Sequence, residues 1–488
     1  MTRIWQSLDS NQRFEMKLTC LFAAIILALA CLVQGQSADK PNFLFIISDD
    51  QSYETIRALG HTDIETPNLD RLTASGTTFT HAYNMGAWHG AVCVASRTML
   101  ATGHTVWNAH AIEKSLTAER EAGRLWSQRM AAQGYETYMS GKWHVGVKAN
   151  QIFANTVNIR AGMPQDASRA YNRPLRGVPD TWSPSDESLG GYWKGGKHWS
   201  EALGDDGTGL IEKAAKSEKP FFMYLAFNAP HDPRQSPKEF VDRYPLDRIK
   251  IPENYLPEYP YKEQIGCSAK LRDENLAPFP RDEHAVKVHR QEYYAIITHM
   301  DVQLGRILDA LEKSGKADNT WIVFTSDHGL ACGHHGLMGK QNMYEHSLRV
   351  PFIVKGPGVK AGAKNEAPIY LQSAMATALD LAGDDGKDIQ FQSVRPILEG
   401  KSKGLDAVYA GYMKVQRAVI HEGWKLIVYP DAKATRLYHL AKDPQELKDL
   451  AADPATLDRK KALFTKLQTL QKELHDDLDI ASVFPELK

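Results

Sequence analysis

Cysteine is scarce in this chain, with five residues in 488. Cys20 and Cys31 fall in an apolar N-terminal stretch, which leaves Cys93, Cys267 and Cys332. An odd, widely spaced trio argues against a disulfide-built scaffold. Net charge is lacking as well. The 58 Lys and Arg balance 59 Asp and Glu, for a formal charge of −1. Nothing electrostatic therefore recommends nucleic acid or an anionic membrane as a partner, although a local basic pocket remains open. No repeat or low-complexity tract interrupts the chain. The apolar stretch Leu18 to Val33 is too short for a membrane span.

What is present is ordinary for a globular protein: 43% hydrophobic and 24% charged residues. The length exceeds what one compact core holds, so two domains are expected. Met16-Lys17, the apolar stretch, then Gly35 and Ala38 make the pattern of a secretory signal. Residues 1–15, with Asp9 and Glu15, suit a signal poorly, which places the working start at Met16. The expectation is a signal segment over 1–38 and an exported protein, periplasmic or extracellular. Cys31 after Leu29-Ala30 leaves lipoprotein anchoring as the alternative, with Ala28 where a larger aliphatic residue is expected.

Four short apolar runs read as strands: Asn42–Ile47, Tyr135–Met139, Phe221–Phe227 and Trp321–Thr325. Helical patterns such as Tyr293–Leu311 separate them. Alternating strands and helices predict an α/β sheet covered by helices on both faces. Each run is followed by ionisable residues: Asp49-Asp50, Lys142-Trp143-His144, His231, and Asp327-His328. Open α/β sheets bind ligands outside the carboxyl ends of their strands, so the four endings point to one site. The catalytic domain is expected over 39–395. From 396 to 488, shorter strands (Ala407–Ala410, Ala418–Ile420, Lys425–Tyr429) and a helix from Thr456 to Asp477 predict a smaller α+β domain. The stripe Leu457, Leu463, Leu467, Leu470 and Leu474 reads as that helix's core face.

Residues 93–103 read Cys-Val-Ala-Ser-Arg-Thr-Met-Leu-Ala-Thr-Gly, and Gly134-Tyr135-Glu136-Thr137 precedes Gly141-Lys142-Trp143-His144-Val145-Gly146. Both strings resemble signatures of the formylglycine-dependent sulfatases of the alkaline phosphatase superfamily, with Ala95 in place of the commoner proline. The resemblance runs from about Pro41 to Leu450. It implies an alkaline-phosphatase-like α/β fold with a smaller C-terminal α+β domain. It also implies that Cys93 is oxidised to formylglycine by a formylglycine-generating enzyme. An aldehyde hydrate suits repeated attack on sulfate better than a thiol, because one hydroxyl attacks and the other can expel the sulfate. If a helix begins at Cys93, Arg97 shares its face and the helix N-terminus favours an anion.

The resemblance assigns Lys142 to the sulfate oxygens and His144 to proton transfer. His231 in "NAPHDP" and Lys340 in "HGLMGKQ" are implied to contact the sulfate, with His231 a candidate acid for the leaving alcohol. Asp49, Asp50, Asp327 and His328, with oxygen from residue 93, look like the set for one divalent metal. Calcium is the family's usual ion; the imidazole of His328 leaves magnesium or manganese open. His81, His89, His334 and His335 carry no assigned role.

The expected reaction is hydrolysis of a sulfate ester on a sulfated carbohydrate. Alternatives are an aryl or alkyl sulfatase, a phosphodiester or phosphonate monoester hydrolase of the same superfamily, and a silent binder of sulfated glycans. A stretch between Val147 and Gly207 holds Arg173, Arg176, Trp182, Tyr192, Trp193, Lys194, Lys197, His198 and Trp199. Its paired glycines predict a loop, read here as part of a sugar subsite.

Overall fold

Strand β1 (Asn42–Ser48) sends Phe43, Phe45 and Ile47 to one face and Leu44 and Ile46 to the other, all of them buried. A strand buried on both faces belongs at the centre of a helix-covered sheet. The structure is a computed structural model and describes residues 40–164 and 168–487. The proposed signal segment lies outside the described residues.

The main sheet adds β2 (Thr77–Phe79), β3 (Glu136–Lys142), β4 (Asn155–Arg160), β5 (Phe221–Ala226), β6 (Thr320–Ser326), β7 (Phe352–Lys355) and β8 (Ala363–Asn365). Its order is β8-β2-β7-β6-β1-β5-β3-β4. From β6 to β4 every pairing is parallel; β7 alone runs against its neighbours β6 and β2. The four strands expected from sequence are thus the adjacent run β6-β1-β5-β3. Their carboxyl ends lie side by side.

Helices cover both faces. On one, Trp126 and Met130 of α3 (Trp126–Ala132) and Met375 and Leu379 of α6 (Ser373–Ala382) pack on Phe45, Tyr224 and Val323. On the other, α1 (Pro67–Ser75), α4 (Trp199–Ala215) and α5 (Glu283–Lys313) bury Leu69, Leu210, Ile297 and Leu304 against Ile46, Leu225 and Phe324. Helix α5 starts at Glu283, ahead of the expected Tyr293, because Asp282 caps it, accepting from the His284 amide at 2.8 Å.

Helix α2 (Val92–Thr102) is held from two sides. Val92, Ala95 and Met99 join one core, Leu100 and Ala101 another. The first of these cores lies against a second sheet of β9 (Ala407–Tyr412), β10 (Gln416–His421), β11 (Trp424–Tyr429) and β12 (Ala434–His439). The fifth strand of that sheet, Gly86–Ala87, comes from just before α2. Helix α7 (Leu457–Glu473) packs Leu463, Phe464 and Leu467 on β10 and β11. Leu457 departs from the expected stripe: it begins the helix and is exposed. Among the described residues no helix is long and apolar enough to cross a membrane.

The β3–β4 register shifts between Ser140 and Gly141, where Gly141 has φ +92°. A side chain there would overlap the Ala226 carbonyl oxygen on β5. Only glycine passes this point and still delivers Lys142 to the sheet edge. Gly141→Ala is expected to lose about 3 kcal/mol of stability. The urea midpoint reads it; a shift no larger than that of an exposed-site mutation would contradict the account.

Candidate active site

Asp49 and Asp50 leave β1, Asp327 and His328 leave β6, Lys142 closes β3, and His231 follows β5. Cys93 and Arg97 descend on α2, which begins with no side-chain cap because Ala91 occupies that position. An uncapped helix start leaves amides and positive potential at the Cys93 end. Every residue expected to be catalytic or to hold the metal arrives here: Asp49, Asp50, Cys93, Arg97, Lys142, His144, His231, Asp327, His328 and Lys340. Lys340 Nζ lies 3.2 Å from the Cys93 sulfur, His328 Nε2 3.6 Å and Asp50 Oδ1 3.7 Å. His144 and His231 face the thiol as well and help to lower its pKa. Asp50 and His144 both take left-handed backbone conformations, φ 70° and 57°, which non-glycine residues adopt mainly where surroundings impose them.

The charges are buried and interlocked. Arg97 Nε donates to Asp327 Oδ2 at 2.9 Å, and its Nη1 donates to the Lys142 carbonyl at 2.8 Å. Lys142 pairs with Asp49. Lys340 donates to both Asp50 oxygens, at 2.9 and 2.7 Å. Burial pushes the Cys93 thiol up, but Lys142 and Lys340 outweigh it and hold the thiol well below its ordinary range. Asp49 is raised well above the usual carboxylate value by burial, then by the negative charge of Asp327 and Cys93. Burial also acts on Asp327, yet Arg97, His328 and Lys142 bring it to about 2.

These groups fit a divalent cation. Ligand atoms of Asp50, Cys93, Asp327 and His328 all lie within 4.8 Å of one another. Asp49 Oδ1 is buried without a hydrogen-bond partner, as is Arg97 Nη2 3.7 Å from it. An orphaned carboxylate oxygen among other carboxylates is the donor a hard cation takes. His328 places Nδ1 2.9 Å from the Gly329 carbonyl. A proton on Nδ1 then leaves Nε2 as the ligand atom. His231 repeats the arrangement, with Nδ1 2.7 Å from the Asp232 carbonyl and Nε2 facing Asp50 Oδ2 at 3.6 Å.

Several neighbours escaped the sequence reading. Asp273 is buried 3.7 Å from Lys340 Nζ and accepts from Gln341 at 2.8 Å. Arg272 Nη2 lies 3.5 Å from His231 Nε2. Both open a short 3-10 helix, Arg272–Leu276, whose local pattern resembles no motif. Gly162 forms the floor under His144: a Cβ there would overlap the imidazole. Gly162→Ala is expected to push the ring away, cutting kcat/KM about 10- to 100-fold through misplacement. Thermal stability should change little, because the ring can swing toward solvent. Kinetics beside a melting curve check this; unchanged kinetics would rule out a placed His144.

Other candidates stay apart. His89 pairs with Glu113 at 3.3 Å, His334 with Glu54 at 3.3 Å, and His335 stacks on Tyr344. His81 lines a cavity with Glu345 and Arg349. The expected aromatic loop is instead a hairpin, Trp193–Lys194 with Lys197–His198, and Trp199 already begins α4. The paired glycines supply its positive-φ turn, not an open loop. Arg173 is spent on Asp180 and Glu292, Arg176 on Asp282, and Lys197 on Asp205. Trp182 and Tyr192 are buried.

A mostly parallel sheet that gathers carboxylates, imidazoles and cations at its carboxyl edge places this chain among the alkaline-phosphatase-like hydrolases. Residues 41–384 match the sulfatase family, and residues 333–473 match the family described as N-sulphoglucosamine sulphohydrolase, C-terminal. A sulfatase of Formosa agariphila is 29% identical over 435 residues, covering 84% of this chain and 83% of that protein. The N-acetylglucosamine-6-O-sulfatase of Bacteroides thetaiotaomicron is 25% identical over 556 residues, covering 97% and 94%. A solved structure, in complex with its substrate D-glucosamine-2-N,6-O-disulfate, shares the fold with TM-score 0.69 at 22% identity, covering 91% of this chain and all 100% of its own. The chain belongs to the sulfatase family. It is a sulfuric ester hydrolase.

Proposed function

We propose that the chain hydrolyses a sulfate ester of a carbohydrate at a formylglycine made from Cys93, beside one divalent metal. The observation that carries the reading is the Cys93 side chain at the start of α2, within reach of Lys340, His144, His231, His328 and Asp50 together. The carbohydrate part rests on the N-acetylglucosamine-6-O-sulfatase that aligns over 97% of this chain.

The Cys93 sulfur stands here for the oxygens of the oxidised residue. When present, formylglycine supplies a hydroxyl nucleophile, and the metal supplies the charge that stabilises its anion. Asp49, Asp50, Asp327 and His328 would hold the metal. Arg97, with one guanidinium nitrogen unpartnered, is poised to donate to the anion at residue 93. Lys142 and Lys340 put positive charge against the sulfate oxygens. His144 takes and returns the proton at residue 93. His231, fixed through Nδ1, passes a proton from Nε2 to the leaving alcohol. Export through segment 1–38 and maturation by a formylglycine-generating enzyme belong to the same reading.

The test is a set of rates for the matured protein on one aryl group carried as sulfate, phosphate diester and phosphonate, beside a panel of sulfated saccharides. Sulfate is expected to be fastest among the aryl esters, with a saccharide exceeding it in kcat/KM. A phosphonate or phosphate diester turned over faster than the sulfate would overturn the reading.

A further inference from the structure

Three buried arginines pair with carboxylates: Arg97 with Asp327, Arg173 with Glu292, Arg417 with Asp476. Arg160, half-buried, has no such pair. It ends β4, in register beside Lys142 at the end of β3. Adjacent strands lie roughly 5 Å apart, so Arg160 stands one strand out from the reaction centre. Its guanidinium rests 4.5 Å from the ring centroid of Trp199 and makes no hydrogen bond or ion pair among the described residues. Asp206, the carboxylate whose charge it feels, is already engaged by the Ser140 hydroxyl at 2.7 Å and the Asn158 amide at 2.9 Å. Burial lowers the Arg160 pKa.

Arg160 also lines a cavity of about 550 Å³, together with Trp143, His144, Lys148 and Ile159. That is within the size of a sugar-binding pocket. His144 therefore has one side on the reaction centre and one on this cavity. A stacked guanidinium is held in one orientation, and an unpaired fork selects a planar or tetrahedral oxyanion.

We propose that Arg160 binds a second anionic group, a carboxylate or a further sulfate, on the same sugar chain whose sulfate ester lies at residue 93. The proposal rests on the sulfate-ester reading above and adds the class of substrate: a saccharide with at least two negative substituents.

The experiment uses the matured full chain and its Arg160→Met and Arg160→Lys variants, each checked by thermal melting. Three probes are compared: D-glucosamine 6-O-sulfate, D-glucosamine-2-N,6-O-disulfate, and 6-O-sulfated glucosamine linked to glucuronate. Calorimetry reads binding, and competition against an aryl sulfate reads occupancy of the reaction centre. The wild type is expected to bind at least one two-anion probe about tenfold tighter than the single-sulfate sugar. Whichever it prefers identifies the second group as sulfate or carboxylate. Arg160→Met should erase that ratio, and Arg160→Lys should keep part of it. Equal affinities in the wild type, a ratio that survives Arg160→Met, or no binding of any probe overturns the proposal. Failure of the matured enzyme on the aryl sulfate counts instead against the sulfate-ester reading, while the calorimetric ratio still reports on Arg160.

Discussion

Cys93→Ala is expected to abolish sulfate-ester turnover by about 10⁴-fold or more, the scale seen when an enzyme loses its nucleophile. The fold should survive. Cys93 is a small buried residue on a helix clamped by two cores, and alanine suits helix interiors best. The variant removes only the group on which Lys142, Lys340, His144 and His231 converge. Those groups remain, and Asp49 and Asp50 keep the two lysines paired. The companion measurement is peptide mass spectrometry of residue 93 after expression with and without a formylglycine-generating enzyme. Activity is expected to track the aldehyde fraction. Full turnover by protein whose residue 93 is an intact thiol would sink the mechanism outright.

Much of this centre is legible in the chain because it is built from strand ends. A parallel strand buried on both faces must be a continuous apolar run, so Asn42–Ser48 and Thr320–Ser326 announce themselves. The residue after such a run is at the sheet edge by construction, which is why Asp49 and Asp327 are visible without coordinates. Strands β2, β7 and β8 are three or four residues long and lie to one side, too short for a periodic signal. Asp273 and Arg272 arrive on a five-residue 3-10 helix, Arg272–Leu276, too short for a periodic signal. Arg160 is invisible for another reason. One arginine at the end of a mostly exposed edge strand looks solvated in sequence; its isolation from carboxylates exists only in three dimensions. The glycine-rich segment 190–199 fails in the opposite direction. Its aromatics look like a binding loop, but the turn folds them onto the protein, as Tyr192 shows by donating its hydroxyl to the Asp232 carbonyl at 3.1 Å.

Removing the metal is expected to stop the enzyme, and Asp327→Ala to cost more than Lys340→Ala. Asp327 meets three demands at once. Its Oδ1 accepts from the Asp50 and His328 amides, each at 3.1 Å, and its Oδ2 accepts from Arg97 at 2.9 Å. It thereby orients two other proposed ligands and the cation next to residue 93. Losing it breaks a fully buried ion pair and leaves Arg97 with Asp49, 3.7 Å away, as its remaining carboxylate, so stability should fall by about 3 kcal/mol. Activity should fall about 10³-fold or more, since ligand and transition-state charge go together. Asp327→Asn separates the two effects: it keeps the shape and an accepting oxygen while removing the charge. It should recover much of the stability and little of the activity. Lys340→Ala leaves Asp50, Asp327 and His328 in place, and its loss in kcat/KM should be nearer 10²-fold. The measurements are kcat/KM, urea midpoints and elemental analysis of each variant, with wild type before and after exhaustive chelation. Chelated protein should regain activity with calcium, magnesium or manganese, and the ion that restores most identifies the native metal. Undiminished turnover by protein shown to hold no metal would refute the assignment of Asp49, Asp50, Asp327 and His328 as ligands.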